Sequence, residues 1–110
     1  MGIRLMTARE ACAKIGMDRD RLNEYVAAGR CSFAPSTRPG KARMFDHDDV
    51  AALVFFTDLR NAGVGVLHAS VYTSRVRDAL YMGGGVLSIP LTHAKGVAMS
   101  VDLDALRARA

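Results

Sequence analysis

Residues 16–45 read GMDRDRLNEYVAAGRCSFAPSTRPGKARMF, and the rest of the chain can be interpreted around this stretch. Asp18 is a good N-cap and Gly29 suits a left-handed C-cap, so the sequence predicts a helix from about Arg19 to Ala28. Leu22 would face the core of the protein. Three polar side chains would point outward from this helix: Arg19, Arg21 and Asn23.

The second half of the stretch is basic and rich in turn residues. Between Arg30 and Arg43 there are four cations and no acid. Pro35, Pro39 and Gly40 favour a short hairpin or an extended wing. A polar helix beside a basic wing could read a DNA groove and hold phosphates, so the stretch predicts a small DNA-binding module.

Length and charge are consistent with this prediction. At 110 residues the chain predicts one domain with a single modest core. Net charge is +4, and residues 1–45 carry +5 of it while residues 46–110 carry −1. A basic first half indicates one surface that faces a polyanion. A solvated face that happens to be rich in arginine and lysine would give the same composition.

Neither a membrane segment nor a catalytic or metal site is predicted. No apolar run approaches the roughly 18 residues of a membrane span, and the N-terminus lacks the apolar core of a signal peptide, which predicts a cytoplasmic protein. Cys12 and Cys31 are expected to be buried thiols, and the three histidines lack mutual spacing, so we expect no metal and no cofactor. The glycine cluster at 83–85 lacks the context of a phosphate loop, and we do not expect an enzyme.

The other helices are predicted from caps and apolar spacing. Thr7 and Glu10 form a capping box for a first helix of about Ala8–Ile15. Asp46 and Asp49 do the same for a third helix ending near Ala62, which is apolar around most of its circumference and should form the core. Gly63 and Gly65 then lead into a fourth helix over about 66–81.

Residues 5–70 resemble the DNA-binding domain of MerR-type transcription regulators. The resemblance runs through MTAREACAKIGMDRDRLNEYVAAGR (6–30), PGKARMF (39–45) and DHDDVAALVFFTDLRNAGV (46–64). It implies a winged helix-turn-helix in which the 18–28 helix enters the major groove and Arg43 and Tyr25 contact phosphates. The family's usual arginine and first tyrosine in this helix are here Asn23 and Glu24, so its base preferences do not transfer. Excisionase-like winged proteins are similar as well.

The expected DNA contacts combine the outward residues of the helix, the cations of the wing and one residue at the start of the first helix. They are Thr7, Arg19, Arg21, Asn23, Tyr25, Arg30, Arg38, Lys41 and Arg43.

The chain departs from the family beyond Arg77, where no long pairing helix follows. We predict two short strands, about 86–92 and 97–101, and a final helix capped by Asp102. The expected fold is therefore mainly α: a MerR-like winged domain over 1–82, with a C-terminal β-hairpin and short helix over 83–110. The tail could cover its own domain or pair with a second chain, and we expect a homodimer through it.

A transcription regulator and two alternatives fit these features. The first is a small prokaryotic or phage transcription regulator that binds a palindromic double-stranded DNA site as a homodimer. The alternatives are a protein-interaction module, such as an antitoxin or phage adaptor, or an excisionase-like architectural DNA binder. The basic wing and the uneven charge favour the first.

Overall fold

A computed structural model describes residues 5–35 and 42–110. The described chain is mainly helical, with two small antiparallel strand pairs. Its elements follow in the order β1 (Met6–Thr7), α1 (Ala8–Ile15), α2 (Arg19–Ala27), β2 (Met44–Phe45), α3 (His47–Asn61), α4 (Val66–Tyr81), β3 (Val86–Pro90), β4 (Ala98–Asp102) and α5 (Leu103–Arg109).

The predicted caps form as expected. The Thr7 hydroxyl accepts from the Glu10 amide and the Glu10 carboxylate accepts from the Thr7 amide, which completes the capping box of α1. Asp18 accepts from the Asp20 amide at 2.9 Å and so begins α2. Gly29 has φ +72°, and the Arg30 amide donates back to the Tyr25 carbonyl at 2.8 Å. This is a Schellman ending, in which glycine is favoured because other residues resist positive φ.

The first strand pair joins the start of the chain to the residues before α3. Met6 lies opposite Phe45 and Thr7 opposite Met44. Among the described residues, β2 therefore pairs with β1 and not with residues 31–35, which form turns. The tip of the expected wing, at 36–41, lies outside the described residues.

Helix α3 is the centre of the core. Residues 50–56 are all buried, because α1, α4, α5 and β2 surround the helix on every side. The prediction that Phe55 and Phe56 are core residues is confirmed. Burial of such a ring is worth several kcal/mol, so Phe56→Ala would cost about 3–5 kcal/mol. The largest fully buried side chains include Leu22, Phe45, Leu53, Phe56, Tyr72, Leu80, Ile89 and Leu103.

The tail packs on its own domain. Strands β3 and β4 form a hairpin in which Val86 lies opposite Asp102 and Pro90 opposite Ala98. The predicted first strand is shortened at its end: the ladder stops at Pro90, and the Leu91 amide closes the connection by donating to the Val97 carbonyl. Ile89 is 1% exposed and lies in the same hydrophobic core as α3, so the inward face of the hairpin is covered within the chain.

Helix α5 fixes this tail by ion pairs to α3. The Arg107 guanidinium lies 3.0 Å from Asp48 and also donates to the Leu80 and Gly83 carbonyls, while Arg109 lies 2.5 Å from Asp58. Gly84 has φ +146°, and a Cβ there would lie 2.6 Å from Nη1 of Arg107. Glycine is favoured here by the positive φ, since the nearby Arg107 and Asp104 atoms are the ends of flexible side chains that can shift.

Candidate nucleic-acid interface

Helix α2 presents most of its side chains to solvent. Leu22 is its one buried residue and marks the inward face, while Arg19, Arg21 and Asn23 are exposed as predicted. At about 100° per residue, Arg19 and Asn23 lie on one flank of the exposed surface and Arg21 on the other. The three predicted base contacts therefore do not form a single row.

The middle of this exposed surface is acidic. Asp20 and Glu24 lie opposite Leu22 on the helix, between the two basic flanks. Carboxylates repel phosphate, but in the major groove they can accept from the N4 amine of cytosine. The exposed surface of α2 therefore has an acidic middle, with Arg19 on one side of it and Arg21 on the other.

A second arginine lies beside Arg21. A groove of about 220 Å³ between α2 and the end of α3 is lined by Arg21, Tyr25 and Arg60 together with residues of the turn before α2. Arg60 donates through Nη1 to the Val64 carbonyl at 2.7 Å, and its buried Nε has no hydrogen-bond partner in the described chain. The groove therefore brings two arginines together with one carboxylate residue, Asp18, beside α2.

Sequence reasoning did not select Arg60. The residue follows the apolar run of α3 and could be assigned only to the last turn of that helix, where a cation favours the helix dipole. Its position next to Arg21 depends on the packing of α2 across α3, which no local pattern reveals.

The other predicted contacts are partly occupied within the fold. Tyr25 is half-buried and packs edge-on against Phe56, with ring centroids 5.6 Å apart. Thr7 uses its hydroxyl as the cap of α1. Arg30 is half-buried just after the end of α2. All three side chains are therefore less exposed than Arg19, Arg21 and Asn23.

Of the segment predicted to form a wing, the structure describes only the residues before 36 and after 41. Arg43 is half-buried and donates through Nη1 to the Pro35 carbonyl, which joins the described segments on either side of residues 36–41. A guanidinium has five N–H donors, so this bond leaves others for a phosphate. The predicted contacts Arg38 and Lys41 lie outside the described residues.

The thiols behind this surface are buried, as predicted. Burial raises the pKa of Cys31 to about 12, partly offset by the positive charge of Arg43. Burial also raises the pKa of Cys12. Both cysteines are therefore neutral, unreactive thiols at neutral pH.

An open cleft lies on another part of the surface. It measures about 750 Å³, and the carboxylate of Asp49 and the guanidinium of Arg77 meet in its wall at 2.6 Å. Burial raises the pKa of Asp49 despite hydrogen bonds from the Asp46 amide and Arg77. The rim carries four exposed apolar side chains: Leu5, Met44, Tyr81 and Met82.

Neither a cluster of three or more metal-ligating residues nor a membrane-spanning helix is found in the part of the chain that the structure describes. No three or more His, Cys, Asp or Glu side chains lie together there in a way that could hold a metal ion. No helix over the described ranges is long and apolar enough to cross a bilayer. Neither a protein-family model nor a curated protein sequence matches this chain.

Proposed function

We propose that the chain is a small sequence-specific DNA-binding protein with a winged helix-turn-helix, in which α2 enters the major groove. The observation that carries the proposal is the solvent-facing surface of α2. Of its nine residues only Leu22 is buried, and arginines lie on both flanks. A helix that served only to complete the core would bury more of its surface than this.

Two sets of contacts are proposed. Arg19 and Asn23 on one flank, with Glu24 between the flanks, would contact base edges, since arginine pairs with guanine, asparagine with adenine and a carboxylate with cytosine. Arg21 and Arg60 on the other flank would hold the phosphates of one strand, where two cations in a groove attract a polyanion. Arg43 and the cations at 38 and 41 would contact the phosphates beside the wing.

The sharpest first experiment is selection of binding sequences from a random duplex library. We expect an enriched site of a few base pairs per α2 helix, present twice in inverted orientation if the protein binds as a homodimer. Asn23→Ala should relax the enriched sequence more than it weakens binding to random DNA. A library that emerges without any enriched sequence would contradict specific recognition.

Gel shifts of the selected duplex at two salt concentrations complete this experiment. Glu24→Gln should increase affinity for random DNA, because a negative charge near phosphate is removed, while discrimination at a cytosine position falls by about 1–3 kcal/mol. Equal effects on selected and random DNA would show that Glu24 does not face the bases.

A protein-interaction module is the second candidate. The acidic middle of α2 and the exposed apolar rim of the Asp49–Arg77 cleft favour it, since neither feature attracts DNA. On that alternative the protein would bind no duplex at physiological salt, and replacement of Tyr81 and Met82 by serine would abolish binding to its partner. The selection experiment distinguishes the two candidates.

A further inference from the structure

Two histidines that are far apart in sequence meet on the surface of the fold. His68 lies near the start of α4, and His93 lies in the connection between β3 and β4. Their ring centroids are 5.0 Å apart, with an angle of 35° between the planes. Both side chains are exposed, so ions in solution can reach them.

The distance between the two ring centroids matches that of two imidazoles bound to one metal ion. A zinc ion lies about 2.0–2.1 Å from a bound imidazole nitrogen, and therefore about 3 Å from the centroid of that ring. Two such rings at a near-tetrahedral angle have centroids about 5 Å apart. Imidazole is also a good ligand for copper and nickel.

Tyr72 contacts both segments that carry the histidines. His68 is stacked on Tyr72, with centroids 6.2 Å apart, and Tyr72 is itself 2% exposed. The Tyr72 hydroxyl accepts from the Thr92 amide at 3.2 Å and lies 3.3 Å from the Thr92 hydroxyl, directly before His93. One buried tyrosine thus positions both the helix and the connection that carry the histidines, which reduces the ordering needed when an ion binds.

We propose that His68 and His93 form a two-histidine site for a divalent transition-metal ion, with water in the remaining positions. The ion would join the β3–β4 connection to α4 and so stabilise the docking of the tail. This inference does not depend on DNA binding. The absence of a metal prediction from the sequence is explained by the 25-residue separation of the two histidines, which only the fold brings together.

The test uses the untagged full-length protein and Zn²⁺ alone, with Ni²⁺ as a second probe. Isothermal titration calorimetry should show one ion per chain, and His68→Gln and His93→Gln should each abolish that binding. His47→Gln is the matched control, because His47 is exposed at the start of α3 and belongs to no histidine pair in the described chain. It should bind the ion like the natural protein.

Thermal unfolding gives an independent readout. Zn²⁺ should raise the midpoint temperature of unfolding of the natural protein and of His47→Gln. It should leave the midpoint temperatures of His68→Gln and His93→Gln unchanged. Because both histidines are exposed, these variants should fold normally without the ion, as circular dichroism can check. If Zn²⁺ does not bind the natural protein, or if either variant retains its full affinity, the proposal is overturned.

Discussion

At the scale of single residues, burial decides the chemistry of the two thiols. We expect neither Cys12 nor Cys31 to react quickly with Ellman's reagent in the native protein at pH 8, and both to react once guanidinium unfolds the chain. Rapid labelling of the native protein would contradict the burial of these side chains.

The raised pKa of Cys31 also predicts a pH dependence of stability. The pKa of this thiol is near 9 in the unfolded chain and about 12 in the folded protein. Its contribution to the free energy of unfolding is therefore complete below pH 9 and is lost as the pH rises toward 12. Urea unfolding at pH 8 and pH 10 should show lower stability at pH 10. The decrease in the free energy of unfolding should be smaller in Cys31→Ala. An equal decrease in both proteins would show that groups other than Cys31 cause the pH dependence.

The pairing of Asp49 with Arg77 provides a second test at this scale. Arg77→Ala would leave a buried carboxylate without its cation and should lower the free energy of unfolding by about 3 kcal/mol. The loss should shrink at acidic pH, because burial raises the pKa of Asp49 and a protonated carboxyl needs no cation. Arg75→Ala, on the exposed side of the same helix, should change stability by no more than about 0.5 kcal/mol.

At the scale of elements, the tail behaves as part of the core. Ile89→Ala in β3 should cost about 2–4 kcal/mol in urea unfolding, since the side chain is 1% exposed among core residues. Val86→Ala in the same strand is the control: its side chain is 72% exposed, and we expect a change within about 0.5 kcal/mol. Similar losses in both variants would show that the hairpin does not pack as described.

The sequence predicts those elements whose signals are local. Capping residues and apolar spacing give the bounds of α1 to the residue and the end of α3 to within one residue, because their caps contact the backbone within three residues. The bounds of α4 follow from the glycines before and after it, since its N-cap Gly65 has no side-chain hydrogen bond. The terminal helix follows in the same way from Asp102. The mainly α fold was therefore predictable.

Features that depend on contacts between distant elements were not predictable. The pairing of β2 with β1, the groove shared by Arg21 and Arg60, and the meeting of His68 with His93 all require the packed fold. The sequence also left two possibilities for the tail, packing on its own domain and pairing with a second chain. An alternating strand can do either equally well, so only the structure distinguishes them. Burial of Ile89 and Val101 favours the first.

At the scale of the whole molecule, a homodimer would have to use other surfaces than the buried face of the hairpin. Leu67 and Val71 lie one turn apart on α4 and are 58% and 45% exposed, so they form one apolar pair that a second chain could cover. Sedimentation equilibrium should show a dimer at micromolar concentration, converted to a monomer by Leu67→Glu. A monomer at every concentration, also on the selected duplex, would contradict the proposed binding to a palindrome.

The central claim is that the α2 surface binds DNA, and salt-dependent fluorescence anisotropy on the selected duplex tests it most directly. The variant Arg19→Ala/Arg21→Ala is compared with Arg75→Ala/Lys95→Ala, which removes the same charge from exposed positions outside α2. We predict that the first variant binds at least tenfold more weakly and that its slope of log K against log salt becomes shallower by up to about two. The second variant should bind like the natural protein. Equal losses of affinity in both variants would show that binding depends only on net charge and would contradict the claim.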